Sequence, residues 1–372
     1  MKFICTQENL TKALNIVSKA VPNRSTLPVL KGIMIRGVSG DDKITLAASD
    51  LDISIETNIE AVILEGGSIV LPSKLFSEIV RKMPYEDLTI SVEDNDFTVI
   101  RSIDDEFTIQ GVPSDEFPRI EENNDGKPFI ISKEILKNLI KKTCFAASND
   151  ETRGIITGEL IEIKNGSITF VAIDGFRIAI VKEDVPNTDE KNIIIASKIM
   201  QELGKVFLEN EEDEDVKIIV DEKKVLFLLE DTRILTRLME GEFIKFRDII
   251  PAEGLINIKI DRLKLLDATE RASIIIREGK NTFIKFIIEG KTMTVSSKAE
   301  EGTSKSVISI DKEGGDLEIG FNARFILDAL KAINDEEIRM EFNSGVGPCL
   351  IKPLKGDSFT YLILPFRISN SN

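Results

Sequence analysis

The chain has 372 residues, 42% of them hydrophobic, and carries 48 Lys and Arg against 64 Asp and Glu, a formal charge of −16. That length fills several cores, and that charge excludes a surface that coats polyanions or anionic membranes as a whole. With no histidine in the sequence, His-based triads, imidazole proton shuttles and His-containing metal sites are excluded as well.

The opening MKFICTQENL lacks the apolar core of a signal peptide, and no run reaches the roughly 18 apolar residues that a spanning helix needs. A cytoplasmic protein with no membrane contact is expected. Glu8 to Ala20 reads as an amphipathic helix with Leu10, Leu14 and Val17 on one side. A second runs from Pro72 to Met83, with Leu75, Ile79 and Met83 at helical spacing and Ser73 as its N-cap. Asp87 to Val92 and Asp96 to Ile100 alternate around Glu93-Asp-Asn95, a hairpin signal. Helical spacing returns over Lys133 to Ala146, over Ala196 to Phe207 with Ser197 as N-cap, over Asp261 to Ala272 with Leu263, Leu266 and Ala268, and over Asn322 to Ile333. Cys5, Cys144 and Cys349 are odd in number and widely spaced, which fits buried thiols in a reducing compartment.

Lys74, Lys198 and Arg324 hold one place in three of these helices and fall 124 and 126 positions apart, a third of the chain being 124 residues. The strands Ile44 to Asp50, Ile168 to Asp174 and Met293 to Lys298 end 124 positions apart each time. The chain is a triplication. Each unit reads helix, three or four strands, helix, then three or four more strands. Consecutive hairpins without βαβ alternation give an α+β class, two helices packed on antiparallel sheet in each unit. Polar, Pro- and Gly-containing stretches at 121–128 and 251–254 divide the units into 1–121, 128–249 and 250–372.

The six helical segments carry a net +9, which leaves −25 for the rest of a −16 chain. A chain polarised in this way can hold a polyanion on one face and repel it from the others. Lys12, Arg24, Lys74, Arg81, Lys137, Lys141, Lys198, Lys205 and Arg324 are the candidate contacts. Aromatic residues are 6% and Trp is absent, so stacking platforms for single strands are missing and contact with duplex phosphates is the better fit.

Neither a GxxxxGK[ST] loop nor a GxGxxG after a strand is present, and no cofactor is implied. Asp50 and Asp174 invite a reading as paired carboxylates for a metal or for acid–base work. Repeated with the architecture at strand ends, they read as turn formers; no catalytic residue and no metal site is assigned. Asp174-Gly-Phe-Arg-Ile178 sets an exposed Phe and Arg beside aliphatics, residue types of binding hot spots. The residues leave three readings: a duplex-binding scaffold, a hydrolase built on the repeated aspartates, and an acidic repeat scaffold unrelated to DNA.

Met1-Lys-Phe3, Arg24-Ser-Thr-Leu-Pro-Val-Leu30, Asp50-Leu-Asp52, Phe117-Pro-Arg119, Ala172-Ile-Asp-Gly-Phe-Arg177, Glu318-Ile-Gly-Phe-Asn322 and Leu364-Pro-Phe-Arg367 resemble, in order and spacing, the motifs of the bacterial β sliding clamps, processivity subunits of DNA polymerase III. The resemblance spans essentially the whole chain and implies a non-catalytic homodimer. Its six units, joined head to tail, close a ring around double-stranded DNA, with helices lining the hole. Implied partners are the polymerase III α subunit, clamp-loader subunits, and other polymerases and repair proteins with short apolar motifs. The family's partner groove falls here on Ile156, Ile173, Gly175, Phe176, Arg177, Ile178, Ile244, Ile249, Asn322, Phe325, Val346, Leu362, Ile363, Leu364, Pro365, Phe366 and Arg367, and its dimer seam on Phe107 and Ile109 against Ile275 and Ile276. Phe176 stands where many members have His, Ile244 where Pro is common, and Asp248 where a basic residue can occur.

Overall fold

The computed structural model describes residues 1–118, 128–186, 190–209, 214–252, 254–276 and 283–366. Much of the 121–128 boundary lies outside them. Six α-helices appear among the described residues: α1 (Gln7–Val17), α2 (Ser73–Lys82), α3 (Lys133–Thr143), α4 (Ser197–Glu209), α5 (Arg262–Ile276) and α6 (Ala323–Ala332). Each sits where the periodicity predicts it, with shifted ends. The expected turns at 18–20 and 144–146 tighten to 3₁₀, and α5 runs past Ala272 to Ile276.

The helix stripes differ in detail from the sequence reading. In α2 the core residues are Phe76, Ile79 and Val80, while Leu75 is 48% exposed; in α5 Leu265 is buried and Leu263 faces outward. A four-residue apolar stripe has two adjacent candidates at such places, and packing decides between them. The caps differ too. Thr6 and Asn322 accept the Asn9 and Arg324 amides, but Ser73 and Ser197 are first helical residues; Pro72 holds the cap position of α2, and the Ser197 hydroxyl donates to the Cys144 carbonyl at 3.2 Å.

Backbone contacts divide the chain into two compact units, one of residues 1–137 with 201–238 and one of 138–200 with the chain from 239 onward. The first holds two antiparallel sheets. One is ordered Val62–Glu65, Lys2–Thr6, Asp87–Val92, Phe97–Arg101, Glu106–Gln110; the other Phe129–Ser132, Asp215–Val220, Lys224–Leu228, Thr232–Arg237, Ile53–Glu60, Lys43–Ser49, Gly32–Gly37, Gly67–Pro72. The second unit holds a nine-stranded sheet, Lys191–Ala196, Gly158–Lys164, Ser167–Ile173, Arg177–Asp184, Phe359–Ile363, Cys349–Pro353, Glu337–Phe342, Ile256–Asp261, Asp311–Glu313, and a four-stranded one, Gly302–Ser309, Thr292–Ala299, Phe283–Glu289, Leu317–Asn322.

Two sheets therefore cross the sequence repeats. Thr232–Arg237 of the second repeat pairs with Ile53–Glu60 of the first, and Phe359–Ile363 of the third with Arg177–Asp184 of the second. The ladders also correct the repeat spacing. Ser49 faces Ser54, Ile173 faces Ile178 and Lys298 faces Thr303, so Ala299, rather than Lys298, holds the place of Asp50 and Asp174.

All three cysteines are buried. Cys144 donates its thiol to Glu159 Oε2 at 3.2 Å, and Glu159 is fully buried with Oε1 unpartnered among the described residues. Burial pushes this carboxyl from its ordinary 4.5 up to about 8, against the smaller opposite pull of Thr143 and Cys144. The folded chain therefore holds a proton that the unfolded chain releases near 4.5, and stability from this group declines as pH rises from about 4.5 to 8. Urea titrations of Glu159→Gln and the parent should diverge in the variant's favour by about 1–3 kcal/mol between pH 5 and pH 8; parallel pH profiles would show that Glu159 titrates normally.

Candidate functional site

The Asp174 turn organises one end of the second unit. Asp174 Oδ1 accepts the Phe176 and Arg177 amides at 2.8 and 3.0 Å, with Gly175 at φ +88 between them. Asp50 does the same for the Asp52 and Ile53 amides. Both carboxylates are thus turn formers engaged by their own backbone. The Arg153 guanidinium donates to the Asp174 carbonyl and lies where a Cβ on Gly175 would meet it at 2.7 Å, so this approach needs glycine.

The turn pushes Phe176 outward, 56% exposed. Arg177, expected exposed, is instead buried at 6%. Strand alternation sends it to the opposite face, where its guanidinium donates to Asp174 Oδ2 at 3.0 Å, Asp328 Oδ2 at 2.6 Å and the Phe145 carbonyl at 2.6 Å. Its cation also sits 4.5 Å from the Phe325 ring centre, and Phe325 in turn stacks on Phe176 at 6.2 Å. Arg177 is a positioning residue beneath the aromatic pair rather than a contact on the surface.

The C-terminal run continues the same face. After the strand Phe359–Ile363 the chain keeps only single backbone bonds, Leu364 N–H to Phe176 O and Phe366 N–H to Gly320 O, both 2.8 Å. Phe366 stacks on Phe283 with ring centres 4.9 Å apart. Phe176, Ile244, Ile249, Val346, Leu364 and Phe366 expose apolar surface, from 38% at Ile244 to 80% at Val346. Ile156, Ile173, Ile178 and Leu362 are buried; the last three share a core cluster with Phe246.

Three groove assignments change. Ile363 lies opposite Arg177 and shares the face of Tyr361, whose hydroxyl donates to the Lys142 carbonyl, so it points away from Leu362. Asn322 is occupied as the α6 cap. Arg367 lies outside the described residues. Arg153, Phe283 and Asp328 escaped the sequence reading; only the Arg324-Asp328 spacing on α6 offered a signal. A cavity of about 520 Å³ borders Ile244 and is also lined by Leu160, Ile194, Phe243, Phe246 and Arg247.

The cations divide into two sets. Lys12, Lys137, Lys205 and Arg324 pair with Glu8, Glu134, Glu202 and Asp328 one turn away, which blunts the net charge counted from the sequence. Arg24, Lys74, Arg81, Lys141 and Lys198 are exposed, with no ion pair among the described residues.

Two sheet edges carry the residues assigned to a seam. On Glu106–Gln110, Phe107 is 43% exposed and Ile109 buried. At the end of α5, Ile276 is buried, Ile275 half-buried and Ile274 62% exposed. Part of the expected seam is therefore already core, and the apolar surface belongs to Phe107 and Ile274.

Three repeats, helices on antiparallel sheets, aspartates spent on turns and an apolar cleft beside the C-terminal run define a non-catalytic clamp-type scaffold. Models of the N-terminal, central and C-terminal domains of the DNA polymerase III β subunit match residues 1–121, 130–245 and 247–367. The β sliding clamp of Halalkalibacterium halodurans is 35% identical over 99% of this chain and all of its own, and that of Bacillus subtilis 34% over the same shares. The crystal structure of the Bacillus subtilis clamp superposes with a TM-score of 0.93 at 34% identity, covering 99% of this chain and all of that one; a Pseudomonas aeruginosa clamp bound to griselimycin superposes at 0.91, with 26% identity over the same shares. The chain belongs to the DNA polymerase III β subunit family, the β sliding clamps. Its function is that of a DNA sliding clamp, a non-catalytic processivity factor. No helix among the described residues is long and apolar enough to cross a membrane.

Proposed function

We propose that two copies close head to tail into a ring that holds duplex DNA without reading bases, and that the apolar cleft receives short motifs of the polymerase III α subunit, clamp-loader subunits and other polymerases and repair proteins. The observation that carries this reading is the pair of unmatched sheet edges. Each internal junction of repeats is a strand pairing, and Glu106–Gln110 and Gly302–Ser309 remain as the open ends of their sheets. A second copy supplies the missing mates, which removes both edges. The repeat units 1–121, 128–249 and 250–372 then become six around one hole, working in the cytoplasm.

Arg24, Lys74, Arg81, Lys141 and Lys198 are the stronger phosphate contacts of the nine candidates, because they are not neutralised on their own helix. Contacts of this kind hold the duplex without fixing a register, so the ring slides. The test is retention: protein loaded on circular DNA should persist through a salt wash and be lost when the circle is cut. Reversing Lys74, Lys141 and Lys198 to Glu should lower the salt slope of residual DNA affinity by about one unit per lost contact. Equal retention on circles and linear ends would overturn encirclement, and an unchanged slope would overturn the assignment of these cations.

A further inference from the structure

Two seams are closed within the chain, and they show how the third registers. Thr6, Ser132 and Asp261 precede the first helix of each repeat and face Asp87, Asp215 and Glu337. Three residues on, Ile90 faces Ile100, Ile218 faces Phe227 and Met340 faces Ile351. These in turn face Phe107, Ile234 and Tyr361. Phe107 is therefore the counterpart of Ile234 and Tyr361. From the hairpins that pair Ser49 with Ser54, Ile173 with Ile178 and Lys298 with Thr303, the residues one step on, Ile55, Ala179 and Ser304, correspond.

In the closed seams Ile234 faces Ile55 and Tyr361 faces Ala179. All four are buried, whereas Phe107 at the open edge is exposed. The same register sets Phe107 opposite Ser304 and, one step along, Glu106 opposite Lys305. At that outward-facing position the first closed seam has Arg233 opposite Glu56, the same two charges in reverse order, and the second has Thr360 opposite Ile180.

We propose that the edge Glu106–Gln110 docks on Gly302–Ser309 of a second copy in this register, and that Glu106 and Lys305 form a charge code that admits only this mate. The proposal rests on the ring reading above. Docked on Ile53–Glu60 instead, Glu106 would meet Glu56; on Gly302–Ser309, the strand Thr232–Arg237 would set Arg233 against Lys305. Correct seams join opposite signs and these mispairings join like ones, which is how competing registers and partners are excluded. Glu106 is held toward Arg101 on the adjacent strand, Arg101 Nε donating at 2.7 Å, and Lys305 is exposed with no ionic partner among the described residues.

A head-to-tail dimer has two such seams, so single reversals are diagnostic. Glu106→Lys alone, or Lys305→Glu alone, sets like charges at both seams and should raise the dimer dissociation constant about tenfold at low salt. An equimolar mixture of the two variants pairs the reversed residues at one seam and the native residues at the other. It should recover wild-type affinity by sedimentation and give heterodimers by native mass spectrometry, and the double variant should recover it as a homodimer. A mixture no tighter than its components, or singles equal to wild type, would overturn the code. Phe107→Asp separates this from the seam itself: if it dissociates the dimer while the reversals do nothing, the seam stands and the code falls. If it leaves the dimer intact, the edges pair elsewhere and both fall.

Discussion

Chain truncated after Ile363 is expected to lose capture of apolar partner peptides by roughly a thousandfold while still forming the dimer. Leu364 and Phe366 are 40% and 47% exposed, beside Phe176, and their backbone is tied by only two hydrogen bonds. A Leu and a Phe that become buried against a ligand are worth about 1.5–3 kcal/mol each, and the sum sets the expected loss. The truncation removes no residue of the Glu106–Gln110 or Gly302–Ser309 edges, so sedimentation should be unchanged. The readout is fluorescence polarisation with a peptide carrying Leu and Phe anchors, with Leu364→Ala plus Phe366→Ala as a gentler variant that keeps the backbone. Wild-type affinity in both would place the docking surface elsewhere.

The second large effect lies beneath that surface. Replacing Arg177 with Met should cost about 3–5 kcal/mol of stability, the range for removing one member of a buried ionic network. The guanidinium satisfies Asp174, Asp328 and the Phe145 carbonyl together, and Met would strand two carboxylates in a poorly hydrated site. Arg177→Lys should recover only part of the loss, because one ammonium cannot reach three acceptors with the geometry of the fork. Removing both charges, Arg177→Met with Asp328→Leu, should cost less than the single substitution, since one stranded partner leaves with the arginine. Chemical denaturation measures all three; an unperturbed midpoint for the single variant would show that the network contributes nothing.

Helices and local hairpins were legible because their signals are short-range. Leu10, Leu14 and Val17 recur at helical spacing and all are buried, and the strand pair around Glu93 to Asn95 forms as read, its second strand shifted to Phe97–Arg101. The sheet seams were not legible, since Ile55 and Ile234 are joined by edge complementarity across 179 positions rather than by any local pattern. Within the groove, the resemblance supplied a contiguous run through Leu362 and Ile363, but alternation along a strand sends neighbours to opposite faces. Arg177 was misjudged for the same reason: its neighbour Phe176 lies in the turn and points outward, while Arg177 begins the strand. The pairing of Lys137 with Glu134 and of Lys205 with Glu202 was already written in their spacing of three, and counting net charge per helix concealed it.

The sharing of sheets between repeats also sets the timing of synthesis. The strand Ile53–Glu60 waits as an edge until Thr232–Arg237 has been made. At about 5–20 residues per second, the intervening stretch takes roughly 10–35 s to emerge from the ribosome. For that interval the nascent chain displays a half-finished sheet bearing Ile53 and Ile55, open to the same strand on neighbouring polysomal copies. Slow codons placed between the first and second repeats would lengthen the exposure, and the yield of soluble protein should fall with them.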